Sequence, residues 1–304
     1  MTPTMISFAE GEARLDWIEL TEALAAGHRL PLAGLGDTFL YRGEDTLLSR
    51  AAFIDGLGAL VKTATVFPGN PARGKPMVNG AAALFSDGAG ELEALVDFHL
   101  LTKWKTAGDS LLAARRLARP DAERILIVGA GTVGRSLREA YAAAFPKARF
   151  SIWNRRPEGA RAFAEACPGT EPVADLETAV RSADIVASAT MATKPLIAGA
   201  WLRPGQHLDL IGAYRPDMRE ADDAALQRAR LFVDSRKTTL QHIGELKQPL
   251  ESGVIAEADI VADYYDLASG AFARKSESEI TLFKNGGGAH LDLMTARYIL
   301  SKFR

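Results

Sequence analysis

From residue 124 onward, short apolar, β-branched runs alternate with alanine-rich amphipathic stretches, the rhythm expected where helices cross over between parallel strands. Runs at 125–128, 149–153, 184–188, 207–211 and 231–233 predict strands, and 132–144 and 157–166 predict helices. Before residue 124 the rhythm is different. Residues 16–28 read as a helix, 81–97 as two strands joined through Asp87-Gly88-Ala89-Gly90, and 101–117 as a long helix. That helix should stop at Arg119-Pro120, because proline disfavours helical geometry in the residue before it. The first part therefore reads as α+β and the second as α/β, with the boundary after residue 119. A helical pattern returns over 288–303, where Leu291, Met294, Ala296 and Ile299 can face a core.

A chain of 304 residues exceeds the size one hydrophobic core usually serves, which agrees with two domains. Hydrophobic residues make up 47% and charged residues 24%, and the formal net charge is -2. No excess of basic charge points to nucleic acid or an anionic membrane, so a small molecule is the expected partner. No apolar stretch approaches the roughly 18 residues that suggest a membrane span. The first residues lack a cationic region followed by a long apolar core, so no secretory signal is expected. Cys167 is the single cysteine and reads as an inert packed thiol at the end of a helix. A reducing, cytoplasmic setting fits. None of the five histidines has metal-ligand spacing with another, and no metal is expected.

The most informative motif follows the apolar run 124–128. Gly129-Ala130-Gly131-Thr132-Val133-Gly134 lies between a strand signal and a helix signal, the context in which a GxGxxG turn binds a dinucleotide. The first glycine permits the turn, the second lets the backbone approach the pyrophosphate, and the third allows close helix-to-strand packing. The helix start then offers free N–H groups and a positive dipole to the phosphates. The next strand ends in Asn154-Arg155-Arg156, where an NAD site usually carries an acidic residue for the ribose 2′-hydroxyl. Two guanidiniums match a 2′-phosphate instead, which predicts NADPH, with NADH left open.

Several motifs together resemble the ornithine cyclodeaminase and mu-crystallin family, which includes alanine dehydrogenases and ketimine reductases. They are Lys62 with Pro68-Gly69-Asn70, the run Leu101-Thr102-Lys103-Trp104-Lys105-Thr106-Ala107, the glycine turn, Ser188-Ala189-Thr190, Ile211-Gly212-Ala213 and Thr281-Leu282-Phe283-Lys284. The resemblance implies a Rossmann-type, doubly wound dinucleotide-binding domain over 120–287. It also implies an α+β substrate-binding and dimerisation domain over 1–119 plus 288–304, a homodimer, and an active site in the cleft between the domains. By the same resemblance Arg50 and Lys62 are cationic substrate residues, and Lys105 stands where most members have a carboxylate-gripping arginine. A lysine there supplies charge without the bidentate fork. Ala189, Thr190, Gly212 and Lys284 are implied to border the coenzyme, with Asn285 and Gly286 beside them. Asn79 and Asn70 are polar candidates near the substrate, or caps of a turn. Asp292 stands where relatives often carry an aspartate close to the cofactor, and it reads equally as a helix N-terminal charge. His290 lies near the same glycine run.

Reaction type turns on one departure. Cyclodeaminases in the family look as though they need an aspartate just after the Gly-Ala pair and a lysine four residues on; here these positions hold Tyr214 and Met218. The segment 212–220 looks like the mu-crystallin one. The expected reaction is NADPH-dependent reduction of a cyclic imino acid, Δ1-pyrroline-2-carboxylate to proline or Δ1-piperideine-2-carboxylate to pipecolate. Lys62 would be the proton donor if burial and neighbouring cations depress its pKa. Ornithine cyclodeamination, an alanine-type dehydrogenase and a non-catalytic binding protein for NADPH or another small ligand remain as alternatives.

Overall fold

The computed structural model describes residues 2–304. By their contacts these residues form two compact units, one running to Lys105 and completed by Gly288–Arg304, the other spanning Thr106–Gly287. The first unit holds β1 (Thr4–Ile6), α1 (Phe8–Glu12), α2 (Trp17–Gly27), β2 (Gly34–Arg42), β3 (Asp45–Ile54), β4 (Gly58–Val66), β5 (Val78–Phe85), β6 (Leu92–Asp97) and the start of α3 (Phe98–Leu117). Strand order in its sheet is β1-β6-β5-β4-β3-β2, antiparallel except for the β1–β6 pair. The α2 helix starts at Asp16, whose carboxylate accepts the Ile18 and Glu19 N–H groups at 2.8 and 3.0 Å.

Alternation along these strands sorts the side chains onto two faces. Ala52, Ile54, Leu60, Ala64, Ala82, Leu84, Ala94 and Val96 are buried on one face, across which the C-terminal helix Ala289–Ser301 packs on β3, β4 and β5. On the opposite face the pairing register runs Met5, Leu95, Ala83, Val61, Ala51 and Gly36 in one row across all six strands. That row carries no charge, and Phe53 beside it is 55% exposed. The region from Gly34 to Val66 lacked a strand signal in the sequence because of this arrangement. With apolar residues on both faces, the apolar-polar alternation that marks a half-buried strand disappears.

The second unit is a doubly wound, fully parallel sheet. Its strands are β7 (Arg124–Val128), β8 (Arg149–Trp153), β9 (Thr170–Pro172), β10 (Ile185–Ser188), β11 (His207–Leu210), β12 (Arg230–Val233), β13 (Ile260–Ala262) and β14 (Thr281–Lys284). They lie in the order β13-β12-β14-β11-β10-β7-β8-β9. Helices α4 (Thr132–Ala144), α5 (Pro157–Ala166) and α6 (Leu176–Ser182) join the strands up to β10. Beyond β11 come α7 (Asp223–Arg228), α8 (Arg236–Thr239) and α9 (Gly244–Glu251). Residues Ile125, Leu126, Ile127 and Val128 are all buried, because a parallel sheet in this architecture is covered on both sides. From β7 the chain winds outward through β8 and β9, then returns to the other side of β7 at β10. The crevice beyond the carboxyl ends of β7 and β10 is therefore the topological switch point, where doubly wound sheets bind ligands.

Helices at 132–144 and 157–166 occur where the periodicity put them. The division between units falls within α3, whereas the sequence suggested the residue before Pro120. Residues after Lys105 belong with the parallel sheet: Ser110 Oγ donates to Asp209 of β11 at 3.3 Å, and the Tyr264 hydroxyl donates to the Asp109 carbonyl at 2.5 Å. No helix among the described residues is long and apolar enough to cross a membrane.

Leu126 is fully buried among Val128, Val186, Leu208 and Leu282 at the centre of the parallel sheet. Leu126→Ala should lower unfolding free energy by about 2–5 kcal/mol, measured by urea denaturation followed by circular dichroism.

Candidate functional site

The glycine turn leaves β7 at Gly129, whose φ of +111° is one that residues with a side chain rarely adopt. A Cβ there would also stand 2.6 Å from the Ala189 carbonyl oxygen. Gly131 is the N-cap of α4, with no side chain capping the helix and open space where its own Cβ would be. Thr132 and Gly131 are exposed, Val133 is half-buried, and Gly134 is buried against the Gly129 carbonyl. The result is a cradle with uncapped first-turn N–H groups, which suits a pyrophosphate. At the end of β8, the Asn154 side chain accepts from the Ala130 N–H at 3.3 Å and donates to the Arg156 carbonyl at 2.9 Å. Asn154 thus ties the turn to its neighbour, while the Arg155 and Arg156 side chains extend into solvent.

Beside the turn, buried carboxylates organise the strand ends. Glu220 accepts from Ser188 Oγ, from the Thr190 N–H and hydroxyl, and from the Gly212 and Ala213 N–H groups. Asp234 accepts from Ser235, Thr239 and the N–H groups of Gly286 and Gly287. Burial pushes the carboxyls of both up from the ordinary range. Lys284 is fully buried, and its ammonium donates to the Leu210 and Asn285 carbonyls at 2.9 and 2.7 Å. Burial lowers its pKa against the opposing pull of Glu220, Glu245, Asp234 and Asp209. The structure therefore keeps Lys284 inside the unit instead of at the surface of the turn. Asn285 is likewise committed, donating to Thr106 and Ser110.

In the first unit, register brings the charged candidates into one row. Asp37 pairs with Arg50, Arg50 with Lys62, and Lys62 with Ala82, so all four side chains share the face covered by the C-terminal helix. Lys62 is 7% exposed, and its ammonium donates to Asp292 at 2.8 Å and lies 4.8 Å from the centre of the Phe98 ring. Asp292 is in the first turn of the C-terminal helix, where its reading as a helix-start charge put it. Lys105 follows Phe98 by about two turns on α3 and acts electrostatically on both Lys62 and Asp292. Arg50 donates to Asp37 through Nε and Nη2 at 2.9–3.2 Å.

The electrostatics follow from that crowding. Burial lowers the Lys62 pKa, Lys105 and Arg50 push the same way, and Asp292 opposes them. Burial alone would raise the Asp292 pKa, yet Lys62, Lys105 and Arg50 hold it below the carboxylate range. Burial disfavours the Arg50 charge, but Asp37 and Asp292 more than restore it. Asn79 is not part of the cluster. It pairs with Thr65, an odd number of positions from the Lys62–Ala82 pair and so on the opposite face, and it donates to the Pro76 carbonyl, as Asn70 does. His290 is buried with its ring edge-on to His28.

A sequence model of the ornithine cyclodeaminase/mu-crystallin family matches residues 54–304. This chain belongs to that family. Over 303 residues the family member is 54% identical to a Δ1-pyrroline-2-carboxylate reductase of Paracoccus denitrificans, covering 98% of this chain and 96% of the other. It is 34% identical to the ketimine reductase mu-crystallin of Rattus norvegicus, covering 78% and 74% of the two chains. Among solved structures it is similar to the Thermococcus litoralis Δ1-pyrroline-2-carboxylate reductase in complex with NADH and L-proline, with a TM-score of 0.88 and 26% identity over 98% and 97% of the chains. An archaeal alanine dehydrogenase dimer with bound NAD matches with a TM-score of 0.89 and 27% identity over 99% and 96%.

Two residues of these charged clusters have no role legible in the sequence alone. Asp37 has no local signal, since its contact with Arg50 exists only through strand pairing. Glu220 was visible solely as the end of the segment 212–220, seven, eight and 30 residues from the Ala213, Gly212 and Thr190 N–H groups it receives.

Asp292→Asn would leave the Lys62 ammonium buried without a counter-charge, a change that costs about 3–5 kcal/mol in comparable buried pairs. Lys62 is charged in the unfolded chain and disfavoured as a cation in the fold. The penalty should therefore be full below its folded pKa, fade as pH rises from there, and be gone above the ordinary lysine value of about 10.4, which chemical denaturation across that range would measure.

Proposed function

We propose that this protein reduces cyclic imino acids with NADPH, taking Δ1-pyrroline-2-carboxylate to L-proline and accepting the six-membered Δ1-piperideine-2-carboxylate as a second substrate. The observation that carries this reading is the buried Lys62 ammonium, held by Asp292 and flanked by Arg50 and Lys105. Likeness over nearly the whole chain to a reductase of that substrate supports it. Arg50 and Lys105 attract the substrate carboxylate. Lys62, destabilised as a cation by burial and by its cationic neighbours, gives its proton to the imine nitrogen, leaving an electrophilic carbon. A nicotinamide coenzyme, which the glycine turn would hold, would supply the hydride, so that one proton and one hydride would convert the C=N bond to CH–NH.

Two further features favour this reaction and this coenzyme. Met218, where a cyclodeaminase carries a lysine, is fully buried with Ala213 and Ile243 and can take no part in handling an amine. At the end of β8 stands Asn154 in place of a carboxylate, and Arg155 and Arg156 are exposed beside it. The uncharged row carrying Met5 and Val61, with Phe53 beside it, is the surface we assign to a second copy of the chain, in keeping with the dimeric form of the alanine dehydrogenase.

The reaction is tested by following loss of reduced-nicotinamide absorbance with each cyclic imino acid, with ornithine as the contrast. Consumption of NADPH with the imines is expected. Proline formed from ornithine without net consumption of NADPH would replace this reading with cyclodeamination. Arg155→Ala with Arg156→Ala should raise the KM for NADPH by about tenfold or more while leaving that for NADH nearly unchanged, since a charge-assisted hydrogen bond is worth about 1.5–3 kcal/mol.

For the assembly, Val61→Lys places a charge in the middle of the apolar row. Light scattering should then report the monomer mass where the wild-type chain gives a dimer, with NADPH affinity retained; a wild-type monomer would remove the assignment of this face.

A further inference from the structure

Loops leaving β7, β10 and β11 meet at the carboxyl edge of the parallel sheet with almost no side chain between them. The Ala189 carbonyl lies against Gly129, and a Cβ on Gly212 would collide with the backbone of Thr190. Contact this close leaves the N–H groups of Thr190, Gly212 and Ala213 directed into the protein, where each needs an acceptor. Glu220 supplies it. One carboxylate oxygen accepts from Ser188 Oγ, the Thr190 N–H and the Thr190 hydroxyl at 2.6, 2.7 and 2.8 Å. The other accepts from the Gly212 and Ala213 N–H groups at 2.6 and 3.3 Å. The first oxygen therefore serves the β10 loop and the second the β11 loop.

Glu220 is itself fixed from behind. Its own N–H and that of Ala221 donate to the Glu245 carboxylate at 2.7 and 3.0 Å, and both glutamates are fully buried. A carboxylate is the one side-chain group of this size that accepts on both oxygens; an amide would turn an NH2 toward one set of donors.

We propose that Glu220 is a positioning residue for the nicotinamide half of the coenzyme, clamping the β10 and β11 loops against the glycine turn so that the ring has a single seat. The inference rests on the coenzyme reading above and deepens it. It separates the coenzyme into two halves with different dependences: the adenosine end relies on the α4 N-terminus and Arg155–Arg156, the nicotinamide end on loops that Glu220 holds.

The test uses the full-length chain with Glu220→Gln, which keeps size and one acceptor oxygen while opposing the donors of one loop. KM for NADPH should rise at least tenfold and kcat should fall about a hundredfold. Affinity for adenosine 2′,5′-bisphosphate, which contains only the adenosine end, should stay within twofold of wild type by calorimetry. Ser188→Ala, which removes a single donor to Glu220, should show the same split on a smaller scale, about three- to tenfold in the KM for NADPH. Equal losses for NADPH and the bisphosphate would mean a general structural role and overturn the proposal, as would NADPH kinetics within twofold of wild type in folded Glu220→Gln. Should that variant prove insoluble, an unchanged KM in Ser188→Ala overturns it. A wild-type chain that binds NADPH but reduces no imine would refute the proposed reaction, while a selective loss of NADPH affinity in Glu220→Gln would still support the clamp.

Discussion

Taking the Lys62 ammonium out of water is the step on which the arrangement of the first unit depends. An unpaired buried cation is costly enough to neutralise itself or to unfold its surroundings, so the Asp292 carboxylate must arrive at hydrogen-bond distance. That requirement fixes the C-terminal helix over β4, and β4 in turn fixes Arg50 and Asp37 through strand register. Burial, Arg50 and Lys105 oppose the charge while Asp292 supports it, which leaves an ammonium less tenacious than one in water.

The second unit uses ionisable groups in a different way. Its buried carboxylates Glu220 and Asp234 accept from main-chain donors, and Lys284 gives its protons to main-chain carbonyls. These charges shape the carboxyl edge of the sheet, where irregular loops converge and ordinary ladder hydrogen bonds have ended. A carboxylate that accepts from several N–H groups does there what a neighbouring strand does within the sheet. Farther back, burial raises the Asp209 carboxyl to about 7, and it receives the Tyr141 and Ser110 hydroxyls. Asp209, Tyr141 and Ser110 are thereby joined into one buried network, as the cost of a lone buried acceptor favours.

What the sequence disclosed and what it concealed divides along the same physical line. The glycine turn was legible because strand, turn and helix are adjacent in the chain and each glycine answers a local steric need. The buried strands of the parallel sheet announced themselves as continuous apolar runs, and helices α4 and α5 by their amphipathic spacing. The meander from β2 to β4 did not, since both of its faces accept apolar residues. Lys62 and Arg50 drew notice through family motifs, whereas Asp37 and the partnership of Lys62 with Asp292 depend on register and on a helix far along the chain. Asn79 shows the reverse error: close in sequence to the cationic strand, it is turned away from the cluster by a parity that only the pairing reveals. Lys284 was legible as a motif residue, but the two main-chain carbonyls its ammonium holds become visible only in the fold.

The first unit is discontinuous in sequence, and its last segment carries Asp292. During vectorial synthesis Lys62 leaves the ribosome long before its counter-ion exists, and the whole parallel-sheet unit is made in the interval. The meander must therefore remain unfinished, or hold its lysine neutral or in water, until the final helix emerges to close it. Completion of the charged cluster is in this sense written into chain order, since Asp292 is synthesised only after every residue of the parallel-sheet unit.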